Sequence, residues 1–307
     1  HHIVVLSTGG TIASTHDSKG AVVPTVSGEE LVKPVYDAFP KGTLHLEVQK
    51  IAQLDSSAMT LDDTDHIIQA VLRALGRAEV SGVIVTHGTD SMEETAIALD
   101  TFVSGNKPVV LTGAMRPHDD PHPDGPSNLT LAVRTATDAH NRGKGVFVAF
   151  GGKVFHARGL HKADTQKEDG FATNCPHGVK RPAPLPFKPL RDVRVDIIAA
   201  YPGAPATLID SSIDNGAQGL VIEGMGDGNI GSTFAAAAVR AATRHHVPVV
   251  LTTRVDAGQV AGVYGGAGGG ATLAEKGIIS SGPLRAGQSR ILVAAALATG
   301  TDPRKLF

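Results

Sequence analysis

The most constraining feature of this 307-residue chain is the stretch Val83-Ile84-Val85-Thr86-His87-Gly88-Thr89-Asp90-Ser91-Met92-Glu93-Glu94-Thr95. Its apolar run reads as a parallel strand covered on both faces, because it lacks the in–out alternation of a half-exposed sheet. The run stops abruptly and a helical pattern follows. Gly88 permits a tight turn that a side chain would obstruct. Ser91, Glu93, Glu94 and Thr95 suit a helix start, where N–H groups lack partners and negative charge is favoured. Thr89 and Asp90 therefore fall at the carboxyl end of a strand. Open α/β sheets place their ligand sites there.

The N-terminus repeats the device. Residues 3–6 are apolar, and Ser7-Thr8-Gly9-Gly10-Thr11-Ile12-Ala13 follow. A second threonine thus sits just past a strand on a glycine turn. One such turn reads as loop support. Two in one chain, one carrying a carboxylate, point to a catalytic pocket. Threonine is a poor nucleophile until a base or cation activates it. Asp90, His87 and Lys162 are the available partners. His87 reads either as a base or, more simply, as a residue fixing its turn by hydrogen bonding. Lys162 would act only if buried beside a carboxylate; otherwise it is a surface lysine.

Strand and helix patterns alternate along the rest of the chain. Residues 14–26 read as a long polar loop able to act as a lid over the first threonine. Ser27 and Glu30 have capping-box spacing, as do Thr60 and Asp63. Residues 44–51 read as a strand, and a helix carries Ile67, Ile68, Val71, Leu72 and Leu75 on one face. The series continues with strand 83–86, helix 91–103, strand 108–112, loop 112–128, a helix from Leu129 and strand 146–150. This order predicts a parallel sheet with helices on both faces. Five prolines in 175–192 exclude regular structure. A second αβ series then runs from Val195 to a helix over 286–298. The expected organisation is an N-terminal catalytic α/β domain over 1–178, a linker over 179–192 and a smaller α/β domain over 193–307.

Several function classes are disfavoured. Net charge is −2 and tryptophan is absent, so neither a nucleic-acid groove nor a basic membrane face is indicated. No apolar run is long enough to span a bilayer. Cys175 is the only cysteine and adjoins Pro176, with no activating partner in view. His118, Asp119, Asp120, His122 and Asp124 share one loop, but their spacing matches no zinc pattern, so no metal is expected. The glycine turns lack dinucleotide and P-loop spacing, so no nucleotide cofactor is expected either. His1-His2 resemble a tag remnant. A cytoplasmic protein is expected, with a secreted or periplasmic origin left open.

Thr8-Gly9-Gly10-Thr11-Ile12-Ala13 and His87-Gly88-Thr89-Asp90-Ser91-Met92-Glu93-Glu94-Thr95 resemble the two signatures of the bacterial-type L-asparaginase/glutaminase family. Gly113-Ala114-Met115-Arg116-Pro117, Asp124-Gly125-Pro126-Ser127-Asn128-Leu129 and Gly224-Met225-Gly226-Asp227-Gly228-Asn229 extend the likeness over the whole chain. The resemblance implies an N-terminal flavodoxin-like domain, a smaller α/β C-terminal domain and no cofactor. It also implies a homotetramer built as a dimer of dimers. Thr11 matches the family's nucleophile. Thr89, Asp90 and Lys162 match its second threonine–lysine–aspartate group. Gly10, Ser56, Ser57, Gly88, Thr89, Asp90, Ala114 and Asn229 match substrate-binding positions. Among them Ser56 would hold the substrate carboxylate, Asp90 its ammonium, and Asn229 would reach a neighbour's site. The implied reaction is hydrolysis of L-asparagine through an acyl-enzyme. A glutaminase-asparaginase and a weakened amino-acid-binding homologue are the alternatives. Two positions depart from the family pattern. The lid tyrosine that follows a glycine is replaced by Ala21 after Gly20, and Tyr36, Tyr201 and Tyr264 lie elsewhere. The C-domain glutamate has no counterpart in the glycine-rich segment 262–270.

Overall fold

The computed structural model describes residues 1–178 and 180–307. Val179, where the linker is expected to begin, lies outside the described residues. The chain divides into two units, His1–Ala172 and Thr173–Phe307.

The first unit is built on a six-stranded sheet. Its strands are β1 (His2–Gly9), β4 (His45–Leu54), β5 (Gly82–Thr86), β6 (Val109–Thr112), β7 (Val146–Phe150) and β8 (Lys153–His156). A small hairpin, β2 (Ser14–His16) and β3 (Val22–Pro24), precedes α1 (Gly28–Val32). The sheet order is β4-β1-β5-β6-β7-β8, parallel except for β8. Numbered within this sheet, the parallel strands run 2-1-3-4-5, the flavodoxin-like order. Its switch point lies between β1 and β5, where the two threonine turns emerge side by side. Ser7 pairs with Thr86 at the last step of that ladder. The helices α2 (Leu61–Leu75), α3 (Met92–Phe102) and α4 (Gly125–Thr137) cover the faces. The central strands are dry on both faces: Val83, Ile84, Val85 and Val4 to Leu6 are fully buried, while the edge strands β4 and β8 are partly exposed. This is why the strands read as unbroken apolar runs.

Local signals act where expected, with four differences. The Thr60 hydroxyl accepts the Asp63 N–H, and the Asp63 carboxylate accepts the Thr60 N–H, so the capping box opens α2. The 14–26 segment is a hairpin rather than an irregular loop. Thr15 and Thr25 join their hydroxyls across it, and the Asp17 carboxylate accepts the Lys19 and Ala21 N–H groups at its tip. Helix α4 starts four residues before Leu129, because Pro126 is compatible with a first turn. Three short strands went unread: β8, β9 (Leu160–Lys162) and β10 (Phe171–Thr173). They are too short to show a period. His2, read as a tag remnant, is part of β1, and its ring meets the Glu47 carboxylate at 2.9 Å.

The second unit carries a parallel four-stranded sheet of β11 (Val195–Ala199), β12 (Gly219–Gly224), β13 (Val249–Thr253) and β14 (Ile279–Ser280). Helices α5 (Thr207–Asp214), α6 (Ser232–Thr243), α7 (Gly270–Glu275) and α8 (Ala286–Thr299) pack with it. Ile198, Leu220, Ile222, Phe234 and Leu251 form its core. Residues 180–190 hold no helix or strand.

Two contacts hold the switch point together. Gly10 has φ +87°, and a Cβ there would lie 2.8 Å from the Gly88 nitrogen. A Cβ on Gly88 would lie 2.4 Å from the Ser56 hydroxyl. His87, fully buried, donates from Nδ1 to the Gly88 carbonyl at 2.6 Å. Its Nε2 then accepts the Thr95 hydroxyl at 2.8 Å. Both ring nitrogens are committed to the turn and to α3, so His87 is a brace, the simpler of its two readings. Burial pushes its pKa down to about 4, against the pull of the Gly88 carbonyl.

Gly10→Ala is expected to cost about 2 kcal/mol or more, since it adds left-handed strain to a backbone clash; an unchanged melting temperature would contradict the close approach. His87 sets an acid sensitivity whose sign is fixed. Unfolded it titrates near 6.5, folded near 4, so between these values the unfolded chain binds more protons. Stability therefore falls as pH drops through that window, by up to about 3 kcal/mol. Urea unfolding at pH 7 and 4.5 is expected to show a smaller acid loss in His87→Gln than in the parent.

Candidate active site

Thr11 follows β1 on the Gly9-Gly10 turn, and Thr89 and Asp90 follow β5 on the His87-Gly88 turn. Ser56 follows β4, one strand over. The three strand ends open into a cleft of about 430 Å³. Gly10, Thr11, Ser56, Gly88, Thr89 and Asp90 line it together, with Asp55 and Gln53 from the β4 end. Val22, Pro24 and Ser14 of the hairpin close one side. That hairpin is fastened to the 117–124 loop: His118 donates its N–H to the Ser14 carbonyl, and Asp119 accepts both the His16 N–H and its Nδ1. Ala21 is exposed at the hairpin and is not among the lining residues.

Lys162 reaches the same turn from β9. Its Nζ donates to Thr89 Oγ1 at 2.9 Å and to Asp90 Oδ1 at 2.8 Å. The Lys162 side chain is 20% exposed and that of Asp90 56%, so the ion pair contributes little to stability. Its consequence is positional: a hydroxyl, an ammonium and a carboxylate are held in one hydrogen-bonded chain. The surface-lysine reading of Lys162 is thereby set aside. The lysine is held at a second point as well. Its main-chain N–H donates to Glu93 Oε2 at 2.6 Å. Burial, then the neighbouring Glu94, push the Glu93 carboxyl up to about 8, against the pull of Lys162.

Ser56 is buried, and its Oγ accepts the Asp90 N–H at 3.2 Å while its carbonyl takes the Ser91 hydroxyl at 2.6 Å. The serine proton stays available to an anion in the cleft. Ser57 is exposed and outside the lining; its N–H and hydroxyl both bond Asp55. Ala114 is buried in the core with Ile12 and Leu129, also outside the lining. Asn229 belongs to the second unit, where it and Met225 exchange both backbone hydrogen bonds around a tight turn. Glu93, Asp55 and Gln53 are the site residues that sequence reading passed over. Glu93 was legible only as a helix-start charge, and nothing local signals that its partner lies 69 positions away.

Among the described residues no group of three or more His, Cys, Asp or Glu side chains is arranged to hold a metal ion. In the His/Asp loop, Asp124 accepts the Met115 and Arg116 N–H groups and Asp119 holds the lid hairpin. Those carboxylates are used as structural acceptors. Among the described residues no helix is long and apolar enough to cross a membrane.

Comparison with known proteins agrees over both units. The family model described as Asparaginase, N-terminal, matches residues 2–181. That described as Glutaminase/Asparaginase C-terminal domain matches residues 194–306. The chain is 35% identical to a probable L-asparaginase of Deinococcus radiodurans, covering 99% of this chain and 96% of that one. It is 31% identical to L-asparaginase 2 of Escherichia coli, covering 99% and 91%. The solved structure of a probable cytoplasmic L-asparaginase from Campylobacter jejuni superposes with a TM-score of 0.82 at 30% identity, covering 99% and 97% of the two chains. With matches of this extent, the chain belongs to the L-asparaginase family of amidohydrolases.

Proposed function

We propose that the chain hydrolyses L-asparagine to L-aspartate and ammonia through a threonine nucleophile and an acyl-enzyme. The observation that carries this reading is the pair of threonines lining one cleft, with Lys162 bonded to Thr89 and Asp90. A free amino acid needs a carboxylate for its ammonium and a donor for its carboxylate. Asp90 Oδ2 and the Ser56 hydroxyl supply these at one end of the cleft. The side-chain amide then lies between Thr11 and Thr89. Thr11 Oγ attacks the amide carbon, and backbone N–H groups of the two glycine turns receive the developing oxyanion. The C–N bond breaks, the proton released by the Thr11 hydroxyl goes to the leaving nitrogen, and ammonia departs. Water, positioned by the Thr89–Lys162–Asp90 chain, cleaves the ester and releases aspartate.

The same reading extends to organisation. Residues 179–192 act as the linker between a catalytic N-terminal domain and the C-terminal domain. The protein works in the cytoplasm as a homotetramer, a dimer of dimers, with Asn229 serving a neighbour's site. No metal or cofactor takes part.

Ammonia release from L-asparagine and L-glutamine by the purified protein tests the proposal. Asparagine is expected to be the better substrate, and EDTA is expected to leave the rate unchanged. Thr11→Ala and Lys162→Met are each expected to lower kcat by roughly 10²–10⁴-fold or more, with folding intact by thermal melt. A wild-type protein that binds asparagine, raising its melting temperature, yet releases no ammonia would sink the enzymatic reading. Light scattering during gel filtration decides the tetramer.

A further inference from the structure

Lys162 stands on a strand of only three residues, β9, paired with the equally short β10. Such a pair has little hydrogen bonding of its own with which to hold a catalytic side chain. Yet the Lys162 ammonium must meet Thr89 Oγ1 and Asp90 Oδ1 together, within 2.9 and 2.8 Å. Both targets precede α3 directly, and Glu93 lies in the first turn of that helix. Its Oε2 accepts the Lys162 main-chain N–H at 2.6 Å. The short strand is thus tied to the same helix start that presents the threonine and the aspartate. The side-chain and main-chain bonds together fix where the lysine stands and where its ammonium ends.

We propose that Glu93 is a positioning residue for the reaction, holding β9 so that the Lys162 ammonium bridges Thr89 and Asp90. This rests on the function proposed above. Glu93 touches neither substrate nor reacting atoms in this assignment; it acts through Lys162. Its carboxyl, raised to about 8 by burial and by Glu94, is mainly neutral at pH 7. The bond to Lys162 is then one between neutral groups, and a glutamine amide reproduces it: the amide oxygen accepts the N–H with the same reach.

The test compares Glu93→Gln, Glu93→Asp and Glu93→Ala with wild type at pH 7, by ammonia release from L-asparagine and by thermal melts. Glu93→Ala is expected to lose kcat by about tenfold or more, because small displacements of a reacting group are costly. Its KM is expected to stay within about twofold, since the substrate-binding groups are untouched. Glu93→Asp, one methylene too short, is expected to follow it, and Glu93→Gln to keep most of the wild-type kcat. A kcat unchanged in Glu93→Ala, or a Glu93→Gln that falls as far as Glu93→Ala, overturns the assignment. If Glu93→Ala does not fold, the Gln and Asp variants decide by the same criteria. A wild type without turnover defeats the proposed function but not this inference. Acetic anhydride labelling of Lys162, read by mass spectrometry, then decides: Glu93→Asp is expected to label several-fold faster than wild type and Glu93→Gln at the wild-type rate. Equal rates in all three overturn it.

Discussion

Backbone meets backbone at the junction of β1 and β5, and the rest of the site depends on that approach. Gly10 lies against the Gly88 nitrogen, and Gly88 against Ser56, at distances no Cβ tolerates. Three strand ends are drawn into one corner of the sheet. Thr11, Ser56 and Thr89, remote from one another in the chain, consequently line one cleft. The sheet order makes this corner the switch point, where helices diverge to opposite faces and leave room for a ligand. The glycines convert that room into a close fit.

A rigid frame surrounds the corner. Thr8 donates to the Thr86 carbonyl at 2.7 Å, and Thr112 to the Ala149 carbonyl at 2.7 Å, so neighbouring strand ends are stitched by buried hydroxyls. His87 braces the β5 turn against α3 from a fully buried position. Asn128 donates to the Gly113 carbonyl and accepts the Gly151 N–H, which links α4 to the ends of β6 and β7. Buried groups of this kind are costly to leave unpaired, so each bond holds its loop in a single arrangement. Lys162 enters this frame from outside the main sheet. Its place is set by contacts to the α3 start rather than by its own strand.

Two segments depart from what the family resemblance leads one to expect. Ala21, where the family resemblance leads one to expect a tyrosine, is at the exposed end of the hairpin, and the cleft is lined on that side by Val22 and Pro24. The glycine-rich segment 262–270 lies in the second unit, where the Gly268 carbonyl accepts the Ile230 N–H and a Cβ on Gly268 would collide with the Ile230 carbonyl oxygen.

The apolar runs, the glycine turns and the capping signals were legible because each is a local consequence of residue type. A strand buried on both faces must be apolar throughout, and a turn with φ near +87° must be glycine. Thr11, Thr89 and Asp90 stood out because they follow such strands directly, and the motifs around them carried the family resemblance. Other features depended on neighbours distant in the chain. The hairpin over 14–24 is held by Asp119, Lys162 is selected by Thr89 and Asp90, and Glu93 is recruited by a main-chain N–H from β9. By itself the sequence determined which residues could stand at strand ends and carry chemistry there. Only the tertiary structure decided which lysine meets them and which carboxyl holds that lysine, because hydrogen-bond partners are chosen by distance in space.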